Sequence, residues 1–154
     1  MGASGVRLTE TAARPTVVVA RRTTWSEFPS LWGLMLDEVY GAVRPADGDL
    51  AERGGPRWQN VMLYKDDVPN VEVGVLASGP YVERENVISS WLPSGTAAAT
   101  TLRGPYAGLD AAHRVVRAWC AAHGRDLAGP RWEIYGHWRA DPDELETEIY
   151  YLLK

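Results

Sequence analysis

Apolar and polar positions follow two periods along this chain, and each period predicts a type of secondary structure. Residues 15–24 (PTVVVARRTT) begin at a proline and are rich in β-branched side chains, which predicts a strand. In residues 25–43, large apolar side chains recur every three or four positions, which predicts an amphipathic helix. Residues 57–67 and 70–78 predict two strands joined by the turn DDVPN. The first half of the chain is therefore expected to fold as strand, helix, strand, strand.

The second half of the chain repeats this order. Small and β-branched residues predict a strand over Gly95–Gly104. Helical spacing follows over residues 106–124, and Gly124 is expected to end this helix. Residues 131–140 and 145–153 predict two further strands on either side of the turn DPDE.

An identical four-residue segment supports a duplication. GPRW occurs at Gly55–Trp58 and again at Gly129–Trp132, an offset of 74 positions (129 minus 55). The same offset places Glu72 on Glu146. A second agreement at one offset favours duplication over coincidence.

Two such modules, at about residues 15–80 and 91–154, predict an α+β domain made of a duplicated βαββ unit. Neither half can close a core alone, so we expect one antiparallel sheet that carries both helices on one face. The opposite, concave face is then expected to stay open for a ligand. Residues 79–95 are expected to be a linker, and residues 1–14 a disordered leader before a domain at 15–154.

Composition and charge exclude several classes of protein. The 154 residues carry 16 basic and 20 acidic side chains, a net charge of −4, and the longest basic run is Arg21–Arg22, so direct binding to nucleic acid is not expected. A single cysteine forms no internal disulfide and suits the cytoplasm, and no apolar stretch is long enough to predict a membrane span. The three histidines stand far from any cysteine pair or ligand-spaced carboxylate, so neither a metal nor another cofactor is expected. His113 is expected on the solvent flank of its helix.

The aromatic residues leave two interpretations open. There are seven Trp and seven Tyr but one Phe. Tyr and Trp combine a flat apolar face with a polar tip, which suits a half-solvated binding surface, but aromatic residues also fill cores.

Strand alternation selects the polar candidates. If Trp132 and Ile134 face the helices, then Glu133, Tyr135 and His137 lie on the open face. The same argument on the last strand places Glu148 and Tyr150 on that face. At the repeat offset the residue that matches Glu133 is Gln59, so one half is acidic where the other is neutral.

Three segments of the second half resemble the GyrI-like small-molecule-binding domains, which also occur as effector-binding domains of AraC-type and MerR-type regulators. The segments are Gly104–Tyr106 (GPY), Trp132–Tyr135 (WEIY) and Glu148–Tyr150 (EIY). The resemblance implies a duplicated βαββ fold, a pocket between the halves, and a buried glutamate at Glu133 that meets cationic ligands.

Two functions follow for such a pocket. The first is binding or sequestration of amphipathic, aromatic or cationic compounds, with Trp32, Trp91 and Trp138 as stacking residues. The second, implied by the resemblance, is hydrolysis of cyclopropane-containing alkylating compounds, because desolvation raises carboxyl pKa values toward the range of general acid–base catalysis. There Glu133 would activate water, and Tyr135 or Tyr150 would donate a proton.

Two alternatives stand beside these functions. The carboxylates of Glu133 and Glu148 could simply be solvated or paired with a nearby arginine. The resemblance also admits a protein partner, since the protein that gives the family its name inhibits DNA gyrase.

Overall fold

The computed structural model describes residues 2–3, 5–46, 59–78, 81 and 83–154. The first GPRW copy lies outside these residues. The described strands are β1 (Gly2–Ala3), β2 (Arg7–Thr11), β3 (Arg14–Arg22), β4 (Asn60–Tyr64), β5 (Asn70–Leu76), β6 (Val87–Leu92), β7 (Gly95–Arg103), β8 (Leu127–Tyr135) and β9 (Glu146–Leu153). The described helices are α1 (Phe28–Ala46) and α2 (Leu109–Ala122).

The strands form one antiparallel sheet in the order β1-β7-β9-β8-β4-β5-β3-β6, with β2 also paired to β7. β4 and β8 pair at the centre and so join the two halves of the chain. The predicted fold class, an α+β domain with both helices on one antiparallel sheet, is confirmed. Neither described helix is long and apolar enough to span a bilayer.

The sheet curls until its two ends approach each other. β6 and β7 lie toward opposite ends of the hydrogen-bonded order, yet only Pro93 and Ser94 separate them in sequence. Thr11 Oγ1, at the end of β2, lies 3.1 Å from the carbonyl oxygens of both Pro93 and Gly95. The curl therefore gives the sheet an inner face and an outer face.

Both faces of the curled sheet are packed. The helices lie on the outer face, where Met35, Val39 and Val43 of α1 pack on the valines of β3 and β5. Val116 and Cys120 of α2 pack on β7 and β9 in the same way. The inner face holds a third apolar cluster with the following members: Val18, Val61, Leu63, Leu76, Leu92, Ala97, Trp132 and Ile134.

Two segments expected to lack regular structure contain strands. β2 lies within the predicted disordered leader and pairs with β7 over Arg7–Thr11. β6 lies within the predicted linker and pairs with β3. Both expectations are wrong for these residues, because β2 and β6 pair with strands that are distant in sequence, and no local period of either segment reveals that pairing.

Candidate functional site

A cavity lies on the helix-bearing face of the sheet, between α1 and α2. It measures about 760 Å³, which is within the usual size range for a small-molecule site. Its floor is formed by β4 and β8, the two strands at which the halves meet. The cavity is therefore a space between the two modules, bounded by one helix from each.

Glu133 lies at the floor of this cavity and is only 4% exposed. Tyr135 and Tyr64 donate hydrogen bonds to its Oε1, at 2.6 and 3.0 Å. His113 Nε2 lies 2.6 Å from Oε2. A buried carboxylate is costly unless donors surround it, and here three side chains from three elements supply them.

The contact with His113 continues through two further side chains. His113 Nδ1 lies 2.6 Å from the Tyr151 hydroxyl on β9. Arg117, one turn along α2, donates to the same hydroxyl at 2.9 Å. The side chains of Arg117, Tyr151, His113 and Glu133 therefore form one connected chain from the protein surface to the cavity floor.

The phenols around Glu133 are held in their neutral form. Burial, and secondly the neighbouring Glu133 carboxylate, raise the pKa of Tyr64 and of Tyr135 above the ordinary value. Burial likewise raises the pKa of Tyr151. These hydroxyls keep their protons at neutral pH and remain available as donors.

Aromatic side chains form most of the cavity wall. Tyr64 packs against Trp25 and Phe28, with ring centroids 5.6 and 5.7 Å apart. Tyr106 meets Tyr135 edge to face at 5.5 Å. The Arg131 guanidinium lies over the Trp25 ring at 5.3 Å and pairs with Asp67 at 2.9 Å. The cavity thus combines one deeply buried negative charge with flat apolar walls.

Local sequence explains why these aromatic residues reach the cavity. Thr24 Oγ1 accepts a hydrogen bond from the Glu27 backbone at 3.1 Å, which closes the turn before α1 and carries Trp25 to the cavity mouth. Gly104 directly follows β7 and has a φ of 129°, a conformation that favours glycine. The chain then reverses and places Tyr106 in the wall, in the short 3₁₀ turn before α2.

Within the described part of the chain, no three His, Cys, Asp or Glu side chains lie close enough together to hold a metal ion.

Solved structures share this architecture. The C-terminal domain of EcmrR matches with a TM-score of 0.68 at 21% identity, and the match covers 97% of both chains. SAV2435, solved with tetraphenylphosphonium bound, gives 0.63 at 11% identity over 98% of this chain and 94% of that chain. A hydrolase encoded by lin2189 from Listeria innocua gives 0.64 at 9% identity over 97% and 91%. No family model and no curated protein matches the sequence.

The chain has the fold of the GyrI-like domains. The resemblance seen in the sequence is thereby confirmed at the level of the fold. EcmrR has also been solved in a DNA complex, and this chain spans 57% of that longer chain. The three resembling segments occupy the turn that directly follows β7, the last four residues of β8 and the centre of β9.

Four of the predicted site residues line the cavity of this GyrI-like fold. Glu133 and Tyr135 lie at the floor, while Trp32 of α1 and Trp138 lie on the wall. Trp138 follows β8 and is 76% exposed. The predicted association of Glu133 with aromatic side chains is therefore present in the structure.

Five other predicted site residues lie elsewhere. Gln59, His137 and Glu148 border a separate groove of about 340 Å³. Tyr150 donates to Glu148 and stacks on Trp132 against the inner cluster. Trp91, on β6, is 61% exposed and is not among the residues of the cavity wall.

The expected convergence of Glu133 and Glu148 is wrong. In the sheet, Glu133 pairs with Ile149, so these two share a face, while Glu148 points to the other face. The expectation placed Trp132 toward the helices, but Trp132 belongs to the inner cluster. Because both faces of the sheet carry buried apolar residues, the apolar character of Trp132 does not indicate which face carries the helices.

His113 was also misplaced by the sequence argument. Its side chain is 12% exposed and lies against Glu133 rather than on the solvent flank of α2. Arg117, Tyr64, Tyr151 and Trp25 were not among the predicted residues. The signal that could have found His113 is its spacing from Ala112 and Val116, which places it at the edge of the buried stripe of α2.

Proposed function

We propose that this chain binds amphipathic aromatic cations in the cavity between α1 and α2. The observation that carries the proposal is the buried Glu133 carboxylate at the floor of a cavity walled by aromatic rings. A carboxylate in such a place attracts positive charge strongly, because little water screens it. The surrounding rings offer flat apolar surface and negative ring faces to the same ligand.

The hydrogen bonds of Glu133 favour a particular kind of cation. Oε1 already accepts two phenol protons, and Oε2 has one close contact to the imidazole. A carboxylate has about four acceptor positions, so a ligand would find roughly one free. The attraction must then act mainly through charge, which suits a delocalised or alkyl- and aryl-shielded cation better than a primary ammonium group.

Other charges in the cavity lining do not cancel that of Glu133. Arg131 is paired with Asp67, and Asp110 is paired with Arg114 at 2.7 Å. Arg117 is exposed, so water screens its guanidinium. The tetraphenylphosphonium found in SAV2435 is a ligand of the proposed kind, which supports the proposal by analogy of fold.

A titration with tetraphenylphosphonium tests the proposal, with tryptophan fluorescence as the readout. Trp32 lines the cavity and Trp91 does not, although both are exposed tryptophans. We expect Trp32→Ala to weaken binding about three- to tenfold, the effect of one lost ring contact. Trp91→Ala is the matched control and should bind as the unchanged protein does. Equal losses in both variants, or no saturable binding, would contradict the proposal.

Hydrolysis of a strained ring is the second candidate, because Glu133 and Tyr135 lie together at the cavity floor. Tyr150 cannot share that substrate, since it lies against the inner face. The acceptor positions of Glu133 are largely occupied, which favours binding over activation of water. Accumulation of a ring-opened hydrate, lost in Glu133→Gln, would instead favour the enzyme.

A further inference from the structure

His113 and Arg117 both take part in the hydrogen bonds around the cavity, and their geometry fixes where the protons lie. Arg117 has only donors to offer, so the Tyr151 oxygen accepts its hydrogen bond. The Tyr151 hydroxyl must then direct its own proton to another acceptor, and His113 Nδ1 lies 2.6 Å away. Nδ1 is therefore unprotonated, and the imidazole proton is on Nε2, where it points to Glu133 Oε2 at 2.6 Å.

In this arrangement the hydrogen bonds between Arg117, Tyr151, His113 and Glu133 are all formed while His113 is neutral. The cavity floor then carries the full negative charge of Glu133. A second proton on Nδ1 would have to point at the Tyr151 oxygen, and the Tyr151 hydroxyl proton would lose its acceptor. The imidazolium would also neutralise Glu133, leaving no net charge at the floor.

We propose that His113 sets the charge that the cavity presents to its ligand, so that a proton on His113 and a cationic ligand compete with each other. The proposal rests on the proposed function, since it concerns the same cavity and the same class of cation. Histidine is the side chain whose charge ordinarily changes between pH 5 and 8. His113 is in this sense a residue that determines specificity for charge.

The groups around the imidazole come from five elements. Within the described residues, the charged and titratable side chains that line the same cavity on the elements packed around it are Glu133, Arg131 and Tyr135 of β8, Tyr151 of β9, Tyr64 of β4, Tyr106 of the 3₁₀ turn before α2, and Arg117 and Asp110 of α2 itself. The phenols stay neutral throughout the range, because burial raises the pKa of Tyr64, Tyr106, Tyr135 and Tyr151.

The test measures affinity for tetraphenylphosphonium and for neutral triphenylphosphine oxide between pH 5.5 and 7.5. In the unchanged protein, affinity for the cation should fall at least fivefold as the pH falls, and affinity for the oxide should change less than twofold. In His113→Gln the fall for the cation should shrink below twofold. His123→Gln is the matched control, because His123 is exposed and contacts the Trp119 carbonyl at 2.8 Å. It should keep the full pH dependence.

A second variant and a ligand-free measurement cover the case in which His113→Gln does not fold. Tyr151→Phe removes the proton donor to Nδ1. Imidazole ¹⁵N spectra of the unliganded protein should show the Nε2–H form at pH 7.5, and the Nδ1 resonance should move in Tyr151→Phe because the hydrogen bond that Nδ1 accepts is lost.

The outcomes separate the two proposals. Absence of cation binding at pH 7.5 overturns the proposed function, and the role of His113 with it. Cation binding with the same pH dependence in His113→Gln overturns only the role of His113. An Nδ1–H form at pH 7.5, or an Nδ1 resonance that does not move in Tyr151→Phe, also overturns that role.

Discussion

Replacing Glu133 by glutamine is the most direct perturbation of the candidate site. The substitution removes the charge and keeps nearly the same shape and volume. The glutamine oxygen can take the place of Oε2 and accept from His113 Nε2 without a change of tautomer. The amide nitrogen can then donate to the hydroxyl oxygens of Tyr64 and Tyr135, whose own protons can turn to Met62 Sδ, 3.6 and 3.7 Å away. The cavity should therefore persist, and its charge alone should change.

The expected magnitude follows from Coulomb's law. A unit charge about 5 Å from the carboxylate is attracted by roughly 3.3 kcal/mol at an effective dielectric constant of about 20, and by roughly 1.7 kcal/mol at about 10 Å. Since about 1.4 kcal/mol corresponds to a tenfold change, Glu133→Gln should weaken a monovalent cation roughly 15- to 250-fold. A neutral ligand of similar shape should lose less than about threefold, because its apolar contacts are unchanged.

The assay is calorimetric or fluorescence titration of tetraphenylphosphonium and triphenylphosphine oxide at pH 7.5. Glu148→Gln is the matched control, since Glu148 is a half-buried carboxylate one strand away that accepts its hydrogen bond from Tyr150 on the opposite face of the sheet. It should change neither affinity by more than about twofold. Urea unfolding checks the fold, and Glu133→Gln should alter the free energy of unfolding by less than about 2 kcal/mol.

Two results would refute this reasoning. Equal losses for the cation and the neutral ligand would mean that Glu133 supports the shape of the cavity rather than its charge. A loss of cation affinity in Glu148→Gln as large as in Glu133→Gln would place the binding site on the other face of the sheet.

Two further predictions concern stability. A Cβ at Gly74 would lie 1.9 Å from the Val17 carbonyl oxygen, so Gly74→Ala should lower the free energy of unfolding by about 3 kcal/mol or more. A Cβ at Gly33 on α1 would meet no atom within 4 Å, so Gly33→Ala should raise the free energy of unfolding by up to about 1 kcal/mol. Urea midpoints that move in the same direction in both variants would contradict this. Burial raises the pKa of Tyr64, Tyr135 and Tyr151, and that of Tyr150 to about 12. The stabilisation from these phenols is complete below the pKa of tyrosine in the unfolded chain, near 10, and is lost as the pH rises through their pKa values in the folded protein. Absorbance at 295 nm should therefore show these four phenols un-ionised at pH 11 in the native protein and ionised in urea. Ionisation of all tyrosines in the native protein at that pH would argue against their burial.

The spacing of apolar residues along the sequence predicts the helices and strands well, but it predicts poorly which face of the sheet a side chain points to. The helices α1 and α2 and the strands β3, β4, β5, β7 and β9 fall within a few residues of their predicted bounds, because each has its own period. The association of Glu133 with Tyr135 and Trp138 was also predicted. His113 and Tyr151 were not, because the contact of His113 with Glu133 and that of Tyr151 with His113 join positions 20 and 38 residues apart (133 minus 113, and 151 minus 113) through the packing of α2 on the sheet.

The misplaced face has a specific cause in the repeat itself. The GPRW identity at an offset of 74 puts Gln59 on Glu133, but Met62 is the residue that faces the helices beside Glu133. In β4 the even-numbered residues face the helices, as Met62 and Tyr64 do, and in β8 the odd-numbered residues do. Residues of β4 and β8 that face the same side of the sheet are therefore separated by an odd number of positions in sequence, which differs from 74 by at least one residue.

Because neighbouring strand residues point to opposite faces, this difference in register places every side chain of β8 on the face opposite to the one that the sequence match assigns to it. The register of β8 against β9 shifts between Leu127 and Arg131, around Gly129 with its φ of 122°, so the shift falls within the second GPRW segment itself. In the last strand of each half, β5 and β9, the offset of 74 does preserve the face, because Glu72 and Glu146 both point away from the helices. The repeat thus keeps its register in the last strand of each half and loses it in the strand before, β4 and β8. That loss turns the residue matched to an inner-face glutamine into an acidic residue at the floor of the cavity, and it makes the two halves of the cavity chemically different.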